Sequence, residues 1–466
     1  MQRKLSKNTN STKVQHNIVK PLQRYNMTKY PKILIIGHTF NLRSGGGITL
    51  SNLFYGWEKS NIAVAAASIV NPSFEVCEKY YQLGSLEYKA RFPFYLNANS
   101  NKIESGIVNT KELSDSINLL NKGGKSIFGI IYDKVLYSTG LIHYKRKFKV
   151  SDKFLHWIKD FSPDLIYTQL SSLEQIRLVD DLQKELKLPV AIHIMDDWPS
   201  TISYGYFPKL IWGKIINKEF LDLLSNSKCL FSISEAMSEE YLKRYSLRFI
   251  PFHNPIVVEN WLPYTKIKWE TEGAFKILYT GRIGRANGKA IIFMANIVNA
   301  MNLKENKITL DIYTPDFNTK NAASIKSLRG VNVRNTVPYN KMPALLASYD
   351  LLFLPLDFDK DGIRFAQMSM PTKTSEYMIS GTPILVFADQ KTALAKYAIR
   401  ESWAYVVTEN SEMVLMNAIN ELCSNLSLRM GLGEKAKKVA IQNEDAKIVR
   451  ENFRRCLIVN STKPDN

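Results

Sequence analysis

Two short runs, Lys32-Ile33-Leu34-Ile35-Ile36-Gly37 and Lys276-Ile277-Leu278-Tyr279-Thr280-Gly281, are almost wholly apolar and end in glycine. A strand with one solvated face alternates apolar and polar residues, so these runs belong to strands covered on both faces, as in parallel sheets. Parallel neighbours cannot be joined by a tight turn and need a crossover, usually a helix. The chain supplies it. Strand-like segments at 62–69, 163–168, 190–195 and 230–233 follow the first run, those at 308–313, 331–333, 350–355 and 384–387 follow the second, and helix-like spacing lies between them. A chain of 466 residues exceeds what one core holds. The pattern therefore predicts an α/β protein of two doubly wound, Rossmann-like domains, 31–265 and 266–440, with a polar linker at 257–273.

Ligands of open parallel sheets collect beyond the carboxyl ends of the strands. Four such ends carry polar or glycine-rich sequence. After the first run comes Asn41-Leu42-Arg43-Ser44-Gly45-Gly46-Gly47-Ile48-Thr49, where Gly45, Gly46 and Gly47 read either as a cradle for a ligand or as a plain tight turn. Neither a GxGxxG fingerprint nor Walker spacing is present. The strand at 190–195 holds His193 and runs into Asp196-Asp197-Trp198-Pro199. His193 reads as a core histidine or as a ligand contact, while Asp196 and Asp197, adjacent in an extended chain, point to opposite sides and make a poor single metal site. One of them is expected to face a substrate hydroxyl.

In the second series Arg282 follows Gly281 at a strand end, where its guanidinium suits a diphosphate. The run from Ser369 through Pro371, Lys373, Thr374 and Glu376 to Gly381 and Pro383 reads as a loop and a helix of about two turns, begun at Pro371 and capped at Gly381. Such a helix start, with Lys373 beside it, attracts an anion, and Glu376 one turn on can accept hydrogen bonds from hydroxyls next to that anion. A nucleotide sugar has both. Asp357, Asp359 and Asp361 copy the opening of a calcium loop, but its twelfth position is Met368, so no metal is expected there.

The formal net charge of +19 calls for an anionic partner. No nucleic-acid motif accompanies it, which leaves phosphorylated substrates or an anionic membrane surface. Residues 1–30 hold seven Lys or Arg and no acid and read as a mobile basic arm. Aromatics mix with lysines across 85–150 and again through Tyr204, Tyr206, Phe207, Lys209, Trp212, Lys214 and Lys218; both segments read as solvated or packed faces or as interfacial ones. No window approaches a membrane-spanning run. Cys77, Cys229, Cys423 and Cys456 lack metal or disulfide spacing, as expected for free thiols in a reducing, cytoplasmic setting.

Taken in order, the Gly45–Gly47 loop, Ser232 to Met237, His253-Asn254-Pro255, Thr280-Gly281-Arg282, Asp311-Ile312-Tyr313, Pro343 to Pro355 and Pro371 to Val386 resemble the retaining, GT-B-fold glycosyltransferases of family 4 (glycosyl transferases group 1). The resemblance covers 31 to about 440. It implies an acceptor domain and a nucleotide-sugar domain facing a central cleft, with the segment 441–466 crossing back as a helix and tail. Catalytic roles fall to Arg282, Lys373, Glu376 and His193. Donor contacts fall to Gly281, Arg282, Lys289, Tyr313, Ser369, Lys373, Thr374 and Glu376, and acceptor or sugar-phosphate contacts to Gly45, Gly46, Gly47, Asp196 and Asp197. No cofactor and no metal are implied. The partners are a nucleotide-sugar donor and a glycan or lipid-linked acceptor, with the membrane surface as a further partner and no nucleic acid. Two positions depart from the family: Met368 stands where a sugar-binding Glu is usual, and Asn287 where a second phosphate-binding lysine is usual, with Lys289 as its replacement. A sugar-transferring enzyme is expected, the alternatives being a nucleotide-sugar-binding scaffold without turnover or a GT-B-like epimerase.

Overall fold

A computed structural model of the chain describes residues 30–41, 44–69, 72–92, 94, 103–108, 127–201, 206–304 and 307–461. The basic arm up to residue 29, Leu42 and Arg43 of the glycine loop, Tyr204 and much of 95–126 lie outside the described residues.

The first sheet contains β1 (Ile33–Ile36), β2 (Ile62–Ala66), β3 (Lys79–Gln82), β5 (Gly106–Val108), β7 (Leu165–Thr168), β8 (Val190–Ile194), β9 (Cys229–Ser232) and β10 (Ile250–Pro251). Their order is β10-β9-β8-β7-β1-β2-β3-β5, with β5 alone antiparallel to its neighbour. Strands β4 (Tyr88–Ala90) and β6 (Arg146–Phe148) pair in a small antiparallel ribbon. The second sheet contains β11 (Phe275–Thr280), β12 (Ile308–Tyr313), β13 (Val331–Arg334), β14 (Leu351–Pro355), β15 (Ile384–Phe387) and β16 (Tyr405–Val407), in the order β13-β12-β11-β14-β15-β16 and parallel throughout. The chain thus has the expected fold: two doubly wound sheets, each reversing its winding direction at the strand formed by one of the two glycine-terminated runs. At that reversal the crossovers on either side diverge and open a crevice. The crevices lie beyond β1 and β7 in one domain and beyond β11 and β14 in the other.

The strands are apolar because both their faces are covered. Every residue of β1, β2, β7, β8, β14 and β15 is buried. One apolar cluster runs through both domains, joining Ile166, Ile192 and Trp198 to Leu352, Met368 and Tyr377. The segment read as a polar linker is instead packed. Residues Val258–Trp261 form a helical turn with Trp261 buried, and Lys266 Nζ donates to the carbonyls of Tyr349 (2.7 Å) and Ala347 (3.2 Å). At the other end of the chain, the backbone of Ile256 pairs with Glu444 and Ala446. The helix Ala446–Ser461 then lays Phe453 and Leu457 into the first-domain core beside Phe54 and Phe231. The four cysteines are free thiols.

Candidate active site

The helix Lys373–Ile379 starts at the face between the domains, after an N-cap at Thr372 whose side chain makes no capping bond. It begins two residues later than Pro371 suggested. Gly381, at φ +72°, ends it as expected. First-domain side chains stitch the loop before it in place: Ser234 Oγ donates to the Met368 carbonyl at 2.7 Å, Ser369 Oγ donates to Asp196 Oδ1 at 2.7 Å, and Asn254 Nδ2 donates to the Thr372 carbonyl at 3.2 Å. A Cβ on Gly45 would lie 3.5 Å from the Thr372 methyl. The helix Gly45–Phe54 therefore points its N-terminus at Thr372 across the cleft.

Lys373 folds against the end of β11. Its Nζ donates to the Thr280 carbonyl at 2.7 Å and to the Tyr279 hydroxyl at 3.0 Å, and lies 4.1 Å from the Tyr279 ring centroid. Gly281 makes room: its φ is +123°, and a Cβ there would stand 2.5 Å from Lys373 Nζ. Burial pushes the Lys373 ammonium down to about 7. Burial also lifts the Glu376 carboxyl, one turn on, to about 7, opposed by Tyr339 and by Lys373 itself. The guanidinium of Arg282 is exposed and makes no hydrogen bond or ion pair among the described residues. Tyr313, register partner of Thr280, accepts from Gly281 N through its carbonyl at 2.8 Å.

Of these groups Lys373 borders a cavity of about 230 Å³ between the domains, while Gly281, Arg282, Tyr313 and Glu376 are not part of its lining. Gly45, Gly46, Asp196, Asn287, Ser369, Thr372 and Lys373 line it together with apolar side chains. Asp196 is exposed there, and desolvation in the cleft raises its carboxyl, against the pull of Ser369.

Four expected contacts do not reach the cleft. His193 is fully buried within β8, with its Nδ1 2.7 Å from the Tyr167 hydroxyl and its ring edge-on to Phe231. Burial pulls its imidazole down to about 3, and a side chain inside a strand faces the layer beneath the sheet, not the space beyond its end. Lys289 points outward to Asp359 at 2.8 Å, because two residues along a helix turn a side chain by about 200°. Asp197 is buried under Arg244 (3.0 Å) and the Tyr241 hydroxyl (2.9 Å). Thr374 is buried, and its hydroxyl has no partner among the described residues. The acidic run is occupied as well. Asp357 accepts from Ala290 N at 2.8 Å at the start of the helix Gly288–Leu303, and Asp359 caps its own helix, Lys360–Ala366.

Tyr279, His38 and Gln169 lay outside the sequence expectations, and Asn287 entered them only as the place of a missing lysine. Tyr279 and Asn287 hold Lys373 and its loop: Asn287 Nδ2 donates to the Tyr279 hydroxyl at 2.7 Å, and its Oδ1 accepts from Gly284 N at 2.9 Å. On the first-domain side His38 and Gln169 flank Gly46. Each of these two follows the last residue of its strand within two positions, and that was the available signal.

Two Rossmann-like domains facing one cleft define the GT-B class of glycosyltransferase folds. Within the second domain, residues 274–425 match the family model described as Glycosyl transferases group 1. No curated protein sequence matches the chain. Solved structures share its fold across nearly the whole length. Sucrose-phosphate synthase from Thermosynechococcus elongatus is 11% identical, with a TM-score of 0.60 over 92% of this chain and 98% of that one. Anabaena HepE, in complex with UDP and glucose, is 12% identical, with a TM-score of 0.57 over 92% and 100%. The α,α-trehalose 6-phosphate synthase of Burkholderia multivorans is 10% identical, with a TM-score of 0.55 over 94% and 100%.

Proposed function

We propose that the protein transfers a sugar from a nucleotide-sugar donor to a glycan or lipid-linked acceptor, with retained anomeric configuration, in the assembly of a cell-surface polysaccharide or glycoconjugate. The observation that carries this reading is the convergence of Lys373 and the N-termini of two helices, one from each domain, on one cavity, with Arg282 on the turn that the Lys373–Tyr279 contact holds. Departure of a nucleoside diphosphate builds negative charge, and fixed positive groups in a closed cleft stabilise it without reorganising. Arg282 and Lys373 supply that charge from the chain itself, which makes the reaction metal-independent. Glu376 accepts from the ribose hydroxyls. Asp196, on the first-domain wall, faces the donor sugar and the acceptor hydroxyl. Retention needs the incoming hydroxyl and the departing phosphate on one face of the sugar, and the presence of Asp196 and Lys373 on the lining of a single cavity supports that reading. The complex of HepE with UDP and glucose supports a uridine-type donor in the same fold.

The test is transfer by Arg282→Ala and Glu376→Ala, with thermal unfolding as a control for folding. Loss of transfer in both folded variants is expected, and full activity in both would sink the assignment.

The acceptor domain also presents a surface suited to anionic lipid. Ile131 and Val135 on the helix Ile127–Thr139, and Leu210 and Ile211 on the adjoining helix Tyr206–Ser225, are exposed beside the exposed Lys134, Lys214 and Lys218. Apolar side chains ringed by lysines bind headgroup and acyl boundary together. Among the described residues no helix is long and apolar enough to cross a membrane. Peripheral docking on the inner face would bring a lipid-linked acceptor to the cleft. Co-sedimentation with vesicles containing acidic lipid, lost in a Leu210→Asp, Ile211→Asp variant, is the expected result.

A further inference from the structure

The cavity between the domains has a largely apolar lining. Asp196, Asn287, Ser369, Thr372 and Lys373 share it with Met195, Ile233, Leu356, Phe365, Ala366 and Met370. Moreover, most of the polar groups are already engaged. Lys373 Nζ is held by Thr280 and Tyr279, Asn287 by Tyr279 and Gly284, and Ser369 by Asp196. Met368 buries its side chain in the core shared by the two domains, and its carbonyl is taken by Ser234. A fully hydroxylated hexose in this space would leave hydroxyls facing thioether, phenyl and aliphatic carbon. A buried hydroxyl without a partner is disfavoured, whereas a methyl group in the same place gains contact. The volume, about 230 Å³, is below the roughly 300–1,000 Å³ of sites for drug-sized ligands and fits one monosaccharide.

We propose that the donor sugar carries a methyl group, either as the terminal carbon of a 6-deoxyhexose or in an N-acetyl substituent, and that this methyl packs against Met370 and Phe365. The inference rests on reading the cleft as a nucleotide-sugar site.

Calorimetric titration of the full chain with donor pairs sharing a base tests it: UDP-N-acetylglucosamine against UDP-glucose, dTDP-6-deoxyglucose against dTDP-glucose, and GDP-rhamnose against GDP-mannose. UDP, dTDP and GDP alone serve as references. For the base the protein accepts, the methyl-bearing donor is expected to bind about 10- to 100-fold more tightly than its parent, and the arm that wins separates N-acetyl from 6-deoxy. Equal or tighter binding of the parent hexose overturns the inference while leaving the site reading intact. Failure of every nucleotide and donor to bind overturns both. In Met370→Gln and Phe365→Asn the preference should fall by about tenfold, with affinity for the nucleoside diphosphate unchanged. A preference unmoved in both variants rules out this placement of the methyl.

Discussion

Lys373 Nζ stands 4.1 Å from the ring centroid of Tyr279 and 3.0 Å from its hydroxyl, so one aromatic side chain from β11 holds the cation on its face and at its edge. The same hydroxyl donates to the Arg282 carbonyl at 2.5 Å and accepts from Asn287. It thereby fixes the lysine, the arginine-bearing turn and the start of the next helix relative to one another. Tyr279→Phe keeps the ring and removes this junction. Losing a buried hydrogen-bond partner costs about 1–3 kcal/mol, part of which is expected as donor affinity weakened by about tenfold or more. Titration with donor, alongside a melting curve, measures both parts.

Gly281 is the second control on that lysine. Alanine there meets a backbone at φ +123° and a Cβ position 2.5 Å from Lys373 Nζ. The variant should lose about 1–3 kcal/mol of stability to backbone strain and also displace the ammonium from Thr280. The expected signature is donor binding reduced well beyond what the stability loss explains. A variant that is less stable but binds donor normally would show that Lys373 is not a donor contact.

Both ionisable groups near the helix start titrate close to neutrality, and their signs oppose. Lys373, pushed down to about 7 by burial, is cationic below that value and binds a diphosphate in that form, so affinity falls as pH rises through it. Glu376, lifted to about 7, is ionised above that value and accepts hydroxyl hydrogens best there, so affinity falls as pH drops through it. Donor affinity should peak near neutrality. Titrations from about pH 5 to about pH 9 should show the acid limb flattened in Glu376→Gln and the alkaline limb retained.

His253 carries a stability prediction of its own. Its Nε2 lies 3.0 Å from Glu235 and its Nδ1 lies 3.1 Å from Glu444, where the chain crosses toward its last helix. Burial opposes its charge, but the two carboxylates outweigh burial and hold the imidazole well above its usual 6.5. Its contribution is therefore complete below 6.5 and lost as pH rises through the folded value. Glu235, despite burial, is drawn down to about 2 from 4.5 by His253, so its share is present above 4.5 and lost toward 2. The melting temperature should hold a plateau between these limits and decline above it. His253→Gln should remove the alkaline decline and cost roughly 3 kcal/mol, at the low end for a broken buried pair because Glu235 stays partly solvated.

Much of this was legible in the sequence, for identifiable reasons. Strands buried on both faces declare themselves as unbroken apolar runs, so β1, β11, β14 and β15 could be placed from residue order alone, whereas the reversal points beside β1 and β11 needed the sheet order. The sequence beyond β1, β8 and β11 pointed to Gly45, Asp196, Gly281 and Arg282, and the helix start after Pro371 pointed to Lys373. His193 and Lys289 show the limit. Proximity in sequence to a strand end or a helix start does not fix the side of the element on which a side chain emerges. His193 lies inside β8 and Lys289 one half-turn past the cleft-facing Asn287, and each finds its partner on the far side. Asp196 and Asp197 could be said to diverge, but only the position of Arg244 decides which of the two is buried.

Asp196 carries the last prediction because its surroundings separate chemistry from scaffolding. It lies on the first-domain wall of the cavity, accepts from Ser369 of the second domain at 2.7 Å and is exposed to the cleft. Two roles fit that position: a carboxylate that stabilises charge on the donor sugar or takes the acceptor proton, and a latch that holds the domains together. Asp196→Asn keeps an acceptor oxygen for Ser369 and removes only the charge. Ser369→Ala breaks the latch and leaves the carboxylate free. Positioned acid–base groups contribute about 10²–10⁴-fold, so the asparagine variant should lose at least about a hundredfold in kcat with donor KM nearly unchanged, while the alanine variant should change kcat by less than about tenfold. Equal losses in the two variants would make Asp196 a latch alone. Full turnover in Asp196→Asn would place the reacting hydroxyl elsewhere along the cleft.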